Sequence, residues 1–160
     1  MKRKIYLAYG SNMSLQQMYH RCPDAEPIGK GILKGWRLMF KGSQSGNYAT
    51  IEKEEGCEVP VVAWAISSRD EKYLDRYEGF PHFYVKETVS FEYIGDRPGR
   101  RTKGEGMVYV MPPEKSTLGL PSERYYDVLL EGYHRFGFEV EILDEAMEYS
   151  DKNNQNKCTK

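Results

Sequence analysis

The sequence predicts an α+β protein with one domain, in which a mixed, mostly antiparallel sheet curls into a small barrel with flanking helices. Its 160 residues are the size of one ordinary domain. Short apolar or alternating runs typical of strands recur along it, and segments with helix-capping signals lie between them. The predicted domain spans residues 1–149, and residues 150–160, which are polar and aperiodic, are expected to form a flexible tail.

The first predicted elements are a strand, a turn and a helix. Residues 3–8 are predicted to form a short buried strand, and Tyr9–Asn12 a turn. Ser14 and Gln17 have the spacing of a capping box, so a helix is expected to begin there. Pro23 ends that helix, because proline lacks the backbone donor that the next turn would need.

Three further strands are predicted before the middle of the chain. Residues 31–41 and 47–52 are expected to pair across a turn at residues 42–46. Residues 59–67 are apolar on both faces, which indicates a central strand.

A second helix follows directly. Ser68 and Glu71 suggest a capping box, and Gly79 is placed to end a helix that runs to about Tyr77. Leu74 and Tyr77 are expected to face the core, because their spacing places them on one face of the helix.

The C-terminal half contains a predicted hairpin and a third helix. Residues 83–93 alternate as a half-buried strand does, residues 95–101 turn the chain, and residues 104–111 return as the partner strand. A helix is expected from Pro121-Ser122 to about Phe136, and residues 138–142 are predicted to add a short strand.

Charge and hydropathy exclude several classes of partner. The net charge is −1, which gives no general attraction to nucleic acids or acidic membranes. The longest apolar run, Val61–Ile66, is too short to span a bilayer, and the apolar stretch after the basic N-terminus is too short for a signal peptide. The protein is therefore expected to be cytoplasmic. A monomer is the default expectation, with a weak homodimer as the alternative.

Cysteines and histidines are too scattered to predict a metal site or a disulfide framework. There are three of each, without a CxxC or HExxH motif. We therefore expect no metal and no cofactor.

The Tyr9-Gly10-Ser11-Asn12 turn is the first candidate site. It follows a strand and precedes a capped helix, and its glycine lets a ligand approach the backbone closely. Backbone N–H groups at such a place suit a carboxylate or a developing oxyanion. The alternative is an ordinary turn in which Ser11 and Asn12 bind only their own backbone.

Glu78 is the second candidate. It is expected at the end of a helix, where the helix dipole disfavours its negative charge, and burial in an aromatic cavity would raise its pKa further. A glutamate tuned in this way is a competent general base near neutral pH. The alternative is an exposed glutamate in the last turn.

Two tyrosines after loops, Tyr84 and Tyr125, are candidates for orienting a substrate, although packing must explain most of the 13 tyrosines. A basic cluster at Arg97–Lys103 is interpreted as a solvated hairpin tip. A nucleic-acid contact through it is the weakest hypothesis.

The chain resembles the gamma-glutamylcyclotransferase-like (AIG2-like) family. The resemblance rests on three segments in the family's order, which together span roughly residues 5–137. They are Tyr9-Gly10-Ser11-Asn12-Met13, then Leu74-Asp75-Arg76-Tyr77-Glu78-Gly79 with Pro81 and Tyr84, and finally Pro121-Ser122-Glu123-Arg124-Tyr125.

The resemblance implies a barrel-like α/β fold and a cyclotransferase that forms 5-oxoproline from a small γ-glutamyl compound. It places Glu78 as the catalytic acid/base, without a metal or cofactor. It implies that the substrate lies against Tyr6, Leu7, Ala8, Tyr9, Gly10, Ser11, Asn12, Tyr84 and Tyr125. The alternative function is a non-catalytic protein that binds a small carboxylate in the same pocket.

The chain departs from the family pattern at two positions. Met13 replaces the usual leucine, and Lys86 stands where many relatives have arginine. A lysine offers a point charge in place of a bidentate contact, so substrate preference is the property that this departure is expected to affect.

Overall fold

Five strands close into a barrel in the computed structural model, which describes residues 2–43, 45–95 and 103–151. The strands are β1 (Lys4–Ala8), β2 (Glu26–Ser43), β3 (Gly46–Ile66), β4 (Val85–Ile94) and β5 (Lys103–Val110). A sixth short strand, β6 (Thr117–Leu118), pairs with the end of β2.

The pairing runs β1–β3–β2–β4–β5 and returns to β1. All of these contacts are antiparallel except the closing one, where β1 and β5 run parallel with Tyr6 opposite Met107. Closure leaves these five strands without an open edge. The predicted mixed, mostly antiparallel barrel is thereby confirmed.

The described ranges also contain four helices. They are α1 (Leu15–Arg21), α2 (Ser68–Glu78), α3 (Glu123–Phe136) and α4 (Glu141–Ser150), with 3-10 turns at Ser11–Met13 and Pro113–Lys115. Each helix contributes to one core, through Met18, Leu74, Leu129 and Leu143, all of which are fully buried. None of the helices in the described part of the chain has the length and apolar character that a bilayer crossing requires.

The hairpin of β2 and β3 is longer than the sequence predicts. The strands expected at 47–52 and 59–67 are one continuous strand, and β2 begins at Glu26 rather than at residue 31. The charged residues between the two predicted strands are mostly exposed, so this part of the hairpin has no apolar pattern. Gly35, at a φ of 80°, lies at a register shift between the strands.

The cap of α2 is shifted by one residue from the prediction. Ser67, rather than Ser68, is the N-cap, and its hydroxyl accepts from the backbone N–H of Asp70 while the Asp70 carboxylate accepts from Ser67. Both residues are buried, so this reciprocal pair satisfies groups that water cannot reach. Glu71, the predicted partner, forms ion pairs with Lys4 and Lys86 instead.

The strand predicted at 138–142 is wrong. Phe138 donates its N–H to the Tyr133 carbonyl and so closes α3, and α4 begins at Glu141. Ser150, at the predicted start of the tail, is the last residue of α4 and is buried. Residues 152–160 lie outside the described residues, as does most of the predicted turn at 95–101 with Arg97, Arg100 and Arg101.

Candidate active site

A cavity of about 410 Å³ opens where β1 ends, against the C-terminal end of α2. This volume is in the range of small-molecule sites. Its wall consists mainly of aromatic rings and the loop after β1: Tyr6, Leu7, Tyr9, Gly10, Ser11, Asn12, Ser45, Tyr48, Ala49, Arg76, Tyr77, Glu78, Gly79, Phe83, Tyr84, Tyr109 and Tyr125.

The end of α2 positions the one carboxylate in this wall. Ser67 fixes the start of the helix, and Leu74 anchors it in the core. Gly79 adopts the left-handed conformation at a φ of 69°, which only glycine tolerates readily, and ends the helix directly after Glu78. The local sequence therefore places Glu78 at the cavity wall.

Burial controls the protonation of Glu78. Removal from water raises the pKa of its carboxyl group from 4.5 to about 7, and the positive charge of Arg21 opposes this increase. The carboxyl group can therefore both accept and release a proton near neutral pH.

Five tyrosines surround this carboxylate. Burial is the main cause that raises the pKa of each phenol, and the negative charge of Glu78 also contributes in every case: Tyr6, Tyr9, Tyr84, Tyr109 and Tyr125. The phenols consequently remain protonated at neutral pH, and each hydroxyl can act as a hydrogen-bond donor.

Asn12 connects the loop to its surroundings. Its side chain is buried, its Nδ2 donates to the Tyr6 hydroxyl at 3.0 Å, and its Oδ1 accepts from Arg21. Both polar ends of Asn12 are thus bound within the protein. Met13 is buried beside Gly132 of α3, where a Cβ on the glycine would lie 3.3 Å from the Met13 side chain.

A chain of aromatic rings forms another part of the wall. Tyr48 packs edge-to-face on Tyr125 at 5.3 Å and on Phe83 at 6.3 Å, and Phe83 packs on Tyr84 at 5.1 Å between ring centroids. This wall offers apolar area for the uncharged part of a ligand.

Lys86 lies outside the cavity. Its Nζ is 2.8 Å from one carboxylate oxygen of Asp75 and 2.9 Å from Glu71. Asp75 also accepts from the Tyr109 hydroxyl at 2.7 Å. The lysine therefore supports the wall from behind, through Asp75 and Tyr109, and does not line the cavity.

The structure brings together all of the predicted site residues except one. Ala8 is buried in β1 and is not part of the cavity wall. Leu74 faces the core as predicted, but Tyr77 does not: it is 49% exposed and lies under the guanidinium of Arg21. Its ring forms part of the cavity rim.

Sequence reasoning missed several wall residues: Ser45, Tyr48, Phe83 and Tyr109. It also missed Arg21, whose charge acts on Glu78. The one available signal was that Tyr48 follows closely after the predicted turn at 42–46 and that Phe83 begins a predicted strand. In the described ranges, no three His, Cys, Asp or Glu side chains are grouped as a metal site would require.

Comparison with known proteins agrees with this geometry. The family model for gamma-glutamyl cyclotransferase, AIG2-like proteins matches residues 6–127, which is most of the chain. The chain therefore belongs to the gamma-glutamyl cyclotransferase, AIG2-like family.

Individual relatives share the fold or a part of the sequence. Gamma-glutamylcyclotransferase from Homo sapiens is 33% identical over 82 residues, and the match covers 47% of this chain but only 44% of the human protein. A solved structure of a gamma-glutamyl cyclotransferase superimposes with a TM-score of 0.77 at 25% identity, covering 91% of this chain and 86% of the other. YkqA from Bacillus subtilis shares the fold, with a TM-score of 0.74 at 23% identity over 95% of this chain and 56% of its own.

Proposed function

We propose that this protein is a cyclotransferase that converts a small γ-glutamyl compound into 5-oxoproline and a free amine or amino acid, with Glu78 as the general acid/base. One observation carries the proposal: a single carboxyl group with a pKa near 7 lies in a tyrosine-lined cavity beside the Gly10–Asn12 loop. Family membership supports the same reaction.

The proposed reaction is internal to the substrate. The α-amine nitrogen attacks the γ-carbonyl carbon, a new C–N bond forms, and a tetrahedral oxyanion results. Glu78 takes a proton from the attacking nitrogen and delivers it to the leaving nitrogen as the original amide bond breaks. Proton and atom counts balance without water, and one carboxyl group serves both transfers.

The protein's other contribution is to hold the substrate curled and to stabilise charge. Fixing the amine near the carbonyl replaces a nucleophile from the protein, since an oriented intramolecular attack has a high effective concentration. Hydrogen-bond donors near the loop stabilise the oxyanion as it develops. The Tyr48 and Phe83 rings of the cavity wall supply apolar area on which we propose that the leaving group packs.

The alternative is a protein that binds a small carboxylate in this cavity without turnover. The raised pKa of Glu78 favours the enzyme, because a binding site for an anion gains nothing from a carboxyl group that is half ionised at neutral pH. We further propose a cytoplasmic protein that acts on a small molecule, with a monomer as the expected state.

The test is a panel of γ-glutamyl amino acids and γ-glutamyl amines, with 5-oxoproline quantified as product. Wild type is expected to release 5-oxoproline from at least one of them, and Glu78→Gln is expected to lose about 100-fold or more in kcat while remaining folded. Turnover by Glu78→Gln at the wild-type rate would contradict the mechanism. Thermal stabilisation of wild type by the panel without any product would support the binding protein instead.

A further inference from the structure

Seven tyrosines line the cavity, and the five that surround Glu78 differ in the direction of their hydrogen bonds. A phenol carries one hydrogen and can also accept. Where the protein donates to a phenol, the phenol keeps its own hydrogen for a ligand. Where the phenol donates to the protein, that hydrogen is no longer available.

The Tyr6 hydroxyl accepts a hydrogen bond from the protein, because the Nδ2 of Asn12 donates to it at 3.0 Å. The orientation of this amide is fixed, because the Arg21 guanidinium contacts Asn12 Oδ1 and can only donate. The Tyr6 hydrogen therefore does not point to Asn12, and Tyr6 is one of the residues of the cavity wall.

Tyr125 also accepts. The backbone N–H of Ala49 donates to the Tyr125 hydroxyl at 3.1 Å, and a backbone N–H can only donate a hydrogen bond, never accept one. A Cβ added to Gly10 would lie 3.3 Å from the Tyr125 oxygen, so this hydroxyl lies against the loop.

The other three phenols donate to groups that only accept. Tyr84 donates to the Ala49 carbonyl at 2.8 Å, Tyr9 to the Tyr109 carbonyl, and the Tyr109 hydroxyl to Asp75 at 2.7 Å. Their hydrogens are used within the protein, and these side chains hold the wall in place.

Of these five phenols, we infer that Tyr6 and Tyr125 donate hydrogen bonds to an anionic oxygen of the substrate's glutamyl half, one at each end of the Gly10–Asn12 loop. This inference rests on the proposed function. The oxygen belongs either to the α-carboxylate or to the tetrahedral oxyanion, which share the same chemistry. Arg21 is a positioning residue, because its hydrogen bond to Asn12 fixes the amide that faces Tyr6.

The test compares Tyr6→Phe and Tyr125→Phe with two other phenol deletions. We expect each of the first two to lower kcat/KM for 5-oxoproline release by about tenfold or more, the loss of one hydrogen bond to a charged oxygen. Tyr109→Phe is expected to lower it by less than about threefold. Tyr133→Phe removes a buried phenol outside the cavity whose hydroxyl has no partner in the described part of the chain, and is expected to match wild type. A higher KM would assign the contact to the carboxylate, and a lower kcat would assign it to the oxyanion.

Asn12→Asp tests the direction of the bond without removing a ring. It replaces the donor that faces Tyr6 with an acceptor, so the Tyr6 hydrogen turns away from the cavity. Above pH 8, where Glu78 is ionised, we expect the same loss as for Tyr6→Phe. Tyr125→Phe leaves the Ala49 N–H without an acceptor and could therefore unfold. In that case Asn12→Asp and Tyr6→Phe still test the assignment of Tyr6 as a donor.

Binding of 5-oxoproline, measured by calorimetry, separates the two proposals. If wild type forms no 5-oxoproline but binds it, the proposed function fails, and the donor assignment stands only if Tyr6→Phe and Tyr125→Phe weaken binding more than Tyr109→Phe does. The assignment is overturned if Tyr6→Phe and Tyr125→Phe behave like Tyr133→Phe, if Tyr109→Phe loses as much as they do, or if wild type neither turns over nor binds.

Discussion

The guanidinium of Arg21 lies 3.6 Å from the ring centroid of Tyr77, the residue directly before Glu78. The same guanidinium donates to Asn12 in the loop. These two contacts hold a positive charge at a fixed place beside the cavity, where it lowers the pKa of Glu78 against the effect of burial. Arg21 thus links the loop, the rim and the carboxylate.

Removing this charge is expected to change the pH dependence of turnover. Arg21→Met should raise the pKa of Glu78, so the acidic limb of kcat/KM moves to higher pH by about 0.5 or more. Arg21→Lys keeps the charge and should move the limb less. A limb that stays in place in Arg21→Met would show that this charge does not act on the ionising group.

The stability of the protein should depend on the charge of Glu78. Its pKa is raised in the folded state, from 4.5 to about 7, so its contribution to stability is fully present below pH 4.5 and is lost as the pH rises through 7. Glu78→Gln stays neutral, and should therefore be more stable than wild type at pH 8.5 by about 3 kcal/mol.

Urea unfolding at pH 4 and pH 8.5 measures this difference. At pH 4 the gain of Glu78→Gln should vanish, because the wild-type carboxyl group is protonated there. Glu87→Gln, at an exposed position on β4, is the matched control and should change little at either pH. Lower stability of Glu78→Gln at pH 8.5 would contradict the burial argument.

Substrate preference should not depend on Lys86. This lysine binds Asp75 and Glu71 behind the wall, so Lys86→Arg is expected to leave the ranking of kcat/KM across the γ-glutamyl panel unchanged. Lys86→Met leaves two partly buried carboxylates without this cation and should cost about 1–3 kcal/mol of stability. A reordered panel in Lys86→Arg would show that the lysine acts on the ligand.

The docking of α4 provides a test of the fold away from the cavity. The Ser150 hydroxyl accepts from the backbone N–H of Phe40 at 2.8 Å, and both residues are fully buried. Ser150→Ala leaves this N–H without its partner and should destabilise the protein by about 1–3 kcal/mol, without a change in kcat/KM. Thermal unfolding measures the effect, and an unchanged Tm would show that α4 does not need this bond.

Local signals in the sequence were sufficient for the approximate positions of β1, β4 and β5, for the cap of α1 and for the candidate carboxylate. The turn after β1, the glycine after Glu78 and the resemblance together pointed to the loop and to Glu78 as the proposed base. The sequence misled at residues 138–142, because Phe138, Val140 and Ile142 alternate as in a strand. Leu143, Ala146 and Met147 carry the helical spacing that the structure follows.

The other residues of the cavity wall come together through the closure of the barrel, which local sequence patterns do not predict. Tyr109 meets the loop because β5 pairs with β1 at the closing seam. Tyr48 comes from the start of β3, opposite Lys41 of β2, whereas the other end of β3 pairs with β1. The hydrogen-bond directions of the tyrosines also depend on their partners in the fold. The partner of Tyr125 is Ala49, which is distant in sequence, and the partner of Tyr6 is Asn12, which is close in sequence.

The central claim is that Glu78 is the general acid/base, and the pH dependence of wild-type kcat/KM tests it most directly. With the best substrate of the panel, kcat/KM should rise with pH along a limb whose midpoint lies near 7, the pKa to which burial raises Glu78. Constant kcat/KM from pH 5 to pH 8 would contradict the account, because no group with this pKa would then control turnover.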